Sequence, residues 1–155
     1  MAANPVGSVT TPGHKHFYAA PFELDAEFGG YGPNPSDGMA PGLEQTKLQI
    51  SDRESTTIAI VATDAALTKA QCQRMAIAAH DGMARAIVPS HTPMDGDLVF
   101  AASTGARGLG EPMKDLALIG HAASLCLTRA IARAIYAAIP AEGDPLPCWN
   151  DVNGD

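Results

Sequence analysis

The apolar positions of this chain fall into runs of two kinds, continuous and helical. TIAIVAT, residues 57–63, is an unbroken β-branched and apolar run between polar residues, which predicts a strand covered on both faces. A well-marked helix follows. Thr68 and Gln71 form a capping-box pair, and Cys72, Met75, Ala76, Ala79, Met83 and Ala86 then recur at helical spacing, predicting one buried face. Pro89 closes off the segment after it. DLVFAAST, residues 97–104, predicts a second buried strand, introduced by HTPMDG, whose Asp-Gly pair signals a tight turn. GARGLGEP reads as a loop. Residues 114–138 are apolar over much of a helical circumference, which predicts a long and largely buried helix.

The flanks are less regular. Residues 1–10 read as the end of a strand turning at Asn4-Pro5. Residues 11–55 form a long Gly/Pro-rich passage, the signature of a functional loop or linker, with LEQTKLQIS as a short strand near its end. The tail beyond Pro140 reads as frayed and solvated. No internal repeat is present. Strand, helix, strand, helix after residue 56 is an α/β pattern with helices laid on sheet faces. Two or three strands do not make a stable layered sheet by themselves, so this pattern calls for further strands.

Composition narrows the partners. The chain has 155 residues, about one domain's worth, and alanine carries much of its apolar share. Ten Lys and Arg against 17 Asp and Glu leave a formal charge of −7, which repels phosphate backbones and anionic membrane surfaces. Nucleic acid and membrane are therefore not expected partners. Three cysteines, Cys72, Cys126 and Cys148, lie at wide spacings with no CxxC, so neither a disulfide framework nor a zinc site is indicated. Reduced thiols and the lack of a basic, apolar leader in MAANPVGSVTTPG suggest a cytoplasmic protein.

Three features carry candidate chemistry, each with an ordinary structural alternative. Thr56 opens the first strand. A threonine hydroxyl needs a base in order to attack a carbonyl, and an N-terminal threonine carries its own, an α-amine with a pKa of about 7.7–8.0. Thr56 would become such a residue if the Ser55–Thr56 bond were cut; otherwise it is a strand threonine, present for its shape. Asp95 and Asp97 lie two apart in MDGD and project to one side if extended, where they would hold an α-ammonium, orient a nucleophile or share a proton. The alternative is a turn. The Asn4 carboxamide can donate to a developing oxyanion, or simply initiate a turn before Pro5. His14 and His16 lack a third ligand, GARGLG lacks the Lys of a phosphate loop, and Glu23 and Glu27 are equally partners for a substrate amine or solvated loop residues.

Taken together, NPVGSV, TTIAIVATDAALTKAQ and MAIAAHDGMARAIVPSHTPMDGDLVFAASTG resemble, in order and spacing, the L-aminopeptidase/D-esterase family of self-cleaving N-terminal-nucleophile hydrolases, from Asn4 to about Gly105. Within it the likeness leans toward nylon-oligomer (6-aminohexanoate-oligomer) hydrolases, through the threonine and the MDGD pair. The resemblance implies an N-terminal-threonine hydrolase of amide bonds, an aminopeptidase or amidohydrolase. Thr56 would be its nucleophile, freed by self-cleavage after Ser55, with Asp95 and Asp97 beside it and Asn4 as oxyanion donor. It implies no metal or organic cofactor, a small peptide, amino-acid amide or ester, or oligoamide as substrate, and a homo-oligomer of cleaved protomers. The implied fold is part of a four-layer αββα sandwich. Residues 1–55 would be the remnant of an upstream subunit, 56–139 the nucleophile-bearing subunit and 140–155 a flexible tail. Ser55 stands where relatives commonly have Gly or Asn, and the family's upstream subunit extends far beyond Asn4, so the chain reads as truncated at its N-terminus. The alternatives are an inactive fragment acting as a subunit or interaction partner, and a relative of the ornithine acetyltransferases.

Overall fold

A computed structural model describes residues 1–13, 15–36, 46–47, 55–144 and 146–154. The element order is β1 (Ala2–Asn4), a 3-10 turn (Ala20–Phe22), β2 (Thr56–Ala65), α1 (Lys69–Ala86), β3 (Leu98–Arg107), α2 (Pro112–Tyr136) and α3 (Trp149–Asn153). The mixed helices and small sheet are consistent with an α/β fold. The expected strand around LEQTKLQIS lies mostly outside the described residues.

β2, α1 and β3 form a strand–helix–strand unit. β2 and β3 pair in parallel, from Ile58↔Leu98 to Thr63↔Ser103, and β1 adds an antiparallel edge through Ala2↔Ile58, Ala3↔Thr57 and Asn4↔Thr56. α1 begins at the expected capping box: Thr68 accepts the Gln71 N–H while the Gln71 side chain accepts the Thr68 N–H. Its buried residues Met75, Ala79, Gly82, Met83 and Ala86 recur every three or four positions, the stripe that faces α2 and the sheet. Where the two helices meet, Gly82 leaves no room for a side chain, because a Cβ there would stand 2.3 Å from the Ser124 carbonyl oxygen. Thr128 closes the contact by donating its hydroxyl to the Gly82 carbonyl at 3.2 Å.

Three expectations are corrected. The continuous apolar run of β2 predicts cover on both faces, yet only Thr57, Ala59, Val61 and Ala65 are buried, with Val99 on β3. Ile58, Ile60, Leu98 and Phe100, which pair across the opposite face, are 45–64% exposed. Both faces are apolar, but the described residues cover one.

α2 is likewise buried along one stripe, from Gly120 to Ala132, rather than over most of its surface; Met113 and Leu118 are exposed. By length and composition it could cross a membrane. Here its apolar stripe packs against α1 and the sheet instead.

The tail is not frayed throughout. α3 brings Trp149 into the core, stacked on Phe17 at 5.9 Å between ring centroids and tilted against Tyr136 at 4.9 Å. Part of the Gly/Pro-rich passage packs there too, since Phe17, Ala19 and Phe28 are buried.

Candidate active site

Thr56 is the first residue of β2, and the register sets Asn4 of β1 directly across from it. On the other side the regular β2–β3 ladder starts only at Ile58↔Leu98, and the gap is bridged by the MDGD turn. Ser55 pairs with Asp95 in an isolated parallel bridge, and the Gly96 N–H donates to the Ser55 carbonyl at 2.9 Å. Ser55 is buried and Thr56 half-buried. The Thr56 hydroxyl donates to the same carbonyl oxygen at 2.6 Å. Thr56, Ser55, Asn4 and the MDGD turn, distant in sequence, therefore meet at one end of the sheet.

The two aspartates do different things. Asp95 accepts the Val6 N–H at 2.9 Å through Oδ1, and the Thr92 N–H and hydroxyl at 3.0 and 2.7 Å through Oδ2. It ties the strand bearing Asn4 to the turn. Asp97 accepts the Thr57 N–H at 3.0 Å through Oδ1, and its Oδ2 lies 2.8 Å from His91 Nδ1. A side-chain carboxylate thus takes an N–H just after Thr56, at a point where the regular ladder has not yet begun. Each carboxylate is thus tied to backbone N–H groups of its own.

Lys47 and His91 were not candidates from sequence. Lys47 donates from Nζ to Asn4 Oδ1. An ammonium has only hydrogens to offer, so the Asn4 carboxamide turns its oxygen toward Lys47. Burial holds the Lys47 ammonium below the ordinary lysine range, opposed by the nearby Asp95 charge. The His91 ring meets His80 of α1 edge-on at 5.1 Å. Burial, followed by the charge of His91, lowers the pKa of His80 against the opposing pull of Asp97 and Asp81. Only HTPMDGD gave a sequence signal for this group, and it read as a turn.

Other candidates are used structurally. Glu27 pairs with Arg129 of α2 through both carboxylate oxygens, the Arg129 Nη2 contact being 2.9 Å, and this pairing lowers its pKa. Glu23 accepts the Phe28 and Gly30 N–H groups at 2.8 and 3.0 Å. Both glutamates thus have structural partners. His16 Nδ1 bonds the Gly32 carbonyl at 3.0 Å, and His14 lies outside the described residues. Among the described residues no group of three or more His, Cys, Asp or Glu is placed to hold a metal ion. A cavity of about 550 Å³ lies beside β1, lined by Val6, Lys47, Ile135 and Trp149 among others.

The family model of Peptidase family S58 matches residues 6–145. Among curated proteins, an uncharacterized aminopeptidase of Mycobacterium tuberculosis is 46% identical over 108 residues, covering 63% of this chain and 31% of the relative. An uncharacterized aminopeptidase of Mycobacterium leprae is 42% identical over 124 residues, covering 74% of this chain and 34% of the relative. The chain spans about a third of the length of the curated relatives it matches.

Proposed function

Because this chain belongs to Peptidase family S58, we propose that it forms the nucleophile-bearing part of an N-terminal-threonine hydrolase of amide bonds, activated by self-cleavage between Ser55 and Thr56. The observation that carries this reading is the placement of the Thr56 hydroxyl on the Ser55 carbonyl, with Asn4 across the ladder. In the self-cleavage step, Thr56 Oγ1 bonds to the Ser55 carbonyl carbon as the carbon–nitrogen bond breaks. The hydroxyl proton passes to the Thr56 nitrogen, and water then hydrolyses the ester. The freed α-amine, with a pKa near 7.7–8.0 in the reference state, has a useful neutral fraction of roughly a tenth or more at pH 7 and serves as the base.

In turnover the same Oγ1 attacks a substrate carbonyl, and the α-amine takes its proton and returns it to the leaving amine. Asn4, held through its carboxamide oxygen by Lys47 and set across the ladder from Thr56, donates from its NH2 to the oxyanion. Asp95 and Asp97 hold the backbone on either side. Water releases the acyl group, and no step calls for a metal or organic cofactor. The substrate class is a small peptide, amino-acid amide or ester, or oligoamide of nylon type. The relatives' names support the aminopeptidase form.

The exposed Ile58, Ile60, Leu98 and Phe100 support a further part of this reading. A face this apolar fits a second sheet packed about 10 Å away, the interior of a four-layer αββα sandwich. The cleaved protein would be a cytoplasmic homo-oligomer, with residues 1–55 and 56–139 in separate subunits. The same face favours one alternative, in which the chain acts only as a subunit covered by a partner.

The test is hydrolysis of an aminoacyl-anilide by the wild-type chain and by Thr56→Ala. Loss of activity with Thr56→Ala supports the proposal. Equal activity of the two on every amide and ester tried sinks it.

A further inference from the structure

We propose that the backbone N–H of Gly96 is the oxyanion donor for self-cleavage, and that residue 96 is glycine so that the Thr56 hydroxyl can reach the carbonyl it attacks. This rests on the hydrolase reading above and names a catalytic group that reading did not contain. The attacked carbonyl belongs to Ser55, which is 2% exposed. Two donors meet on its oxygen: the Thr56 hydroxyl at 2.6 Å and the Gly96 N–H at 2.9 Å.

During attack the hydroxyl gives up its hydrogen bond, because its oxygen becomes the nucleophile and its proton leaves for the Thr56 nitrogen. The Gly96 N–H stays. It lies 2.9 Å from the carbonyl oxygen before attack, and a fixed backbone dipole needs little reorganisation as that oxygen gains charge.

The turn is built to deliver this one N–H. The Ser55↔Asp95 bridge stands apart from the regular ladder, which starts at Ile58↔Leu98, and Asp97 takes the Thr57 N–H with its side chain. Asp95 Oδ2 holds the front of the turn through the Thr92 N–H and hydroxyl. Both flanking aspartates therefore brace the residue between them. Space rather than backbone angle requires glycine. Gly96 is not among the glycines of positive φ, but a Cβ built on it would stand 2.7 Å from Thr56 Oγ1 and 3.5 Å from Cγ2. Real Cβ atoms do not come so close. Any side chain at 96 therefore drives the hydroxyl off the Ser55 carbonyl.

The experiment follows cleavage of the freshly folded chain by denaturing mass spectrometry for wild type, Thr56→Ala and Gly96→Ala, with circular dichroism as the check on folding. Wild type should split after Ser55 and Thr56→Ala should stay whole. Folded Gly96→Ala keeps the residue 96 N–H but moves the attacking hydroxyl, and should split about 10²-fold more slowly than wild type, the usual loss when a reacting group is misplaced by about 1 Å. Folded Gly96→Ala splitting at the wild-type rate would overturn the proposal and leave the hydrolase reading standing. An uncut wild-type chain would overturn the hydrolase reading and this proposal with it. Should Gly96→Ala not fold, amide hydrogen exchange in Thr56→Ala decides. There the Gly96 amide should be as protected as that of Thr57. Exchange at the rate of an exposed loop amide would overturn the assignment.

Discussion

Replacing Asp97 by alanine should cost stability through one identifiable hydrogen bond. Asp97 is 5% exposed at its side chain, and its Oδ1 is the acceptor of the N–H of Thr57, which is fully buried. With alanine at 97 that N–H loses its acceptor in a place water does not reach. A hydrogen bond to a charged group contributes about 1.5–3 kcal/mol, and a buried donor left unpaired costs about 1–3 kcal/mol, so a loss of about 2–3 kcal/mol is expected. In a chain of this size that lowers Tm by about 4–12 °C. Asp97→Asn keeps an oxygen for the Thr57 N–H and loses only the charge, so it should cost about 1 kcal/mol. Both variants are best made in Thr56→Ala, so that one unbroken chain unfolds, and followed by urea and thermal denaturation. Asp97→Ala within about 0.5 kcal/mol of its parent, the range of an ordinary surface change, would refute the reasoning. So would Asn costing as much as Ala.

Further expectations follow from the same contacts. Burial lowers the Lys47 pKa, so the unfolded chain binds that proton more tightly and stability should climb with pH in the window below about 10.4. Urea midpoints across that window should rise in the parent and stay flat in Lys47→Met. His80 is also held below its ordinary value, first by burial, so its contribution is present above about pH 6.5 and is lost as pH falls from there through its lowered folded-state value. His80→Asn should flatten that acid limb of the stability profile. Gly82→Ala puts a Cβ 2.3 Å from the Ser124 carbonyl oxygen and should cost about 1–3 kcal/mol by overpacking the α1–α2 contact, read as a lower urea midpoint.

What the sequence makes legible depends on how local each signal is. The α1 start is legible because Thr68 and Gln71 are three residues apart and satisfy each other. β2 and β3 are legible as apolar runs, but a run does not say what covers it, so cover on both faces was expected where the described chain supplies one. Trp149 sits in a polar, Pro-rich tail, and only the ring contacts with Phe17 and Tyr136 show that the tail is anchored.

At the candidate site, Thr56, Asn4, Asp95 and Asp97 were individually as ordinary as any strand or turn residue, and the family resemblance singled them out. Their meeting at one sheet end is a matter of register, which sequence does not display. Lys47 escaped notice because it reaches Asn4 across 43 residues of chain. Gly96 escaped because Asp-Gly announces a turn whatever else it does; its closeness to Thr56 exists only once the strands are paired.

The central claim is that the Ser55–Thr56 bond breaks by the chain's own action. The most direct measurement is the intact mass of the purified 16.0 kDa chain under denaturing conditions, with amine labelling of any new N-terminus. Wild type should give two pieces whose masses sum to that of the whole plus one water, the second beginning at Thr56, and Thr56→Ala a single uncut chain. A wild-type chain that stays whole after folding, or one cut elsewhere and cut equally in Thr56→Ala, would contradict it.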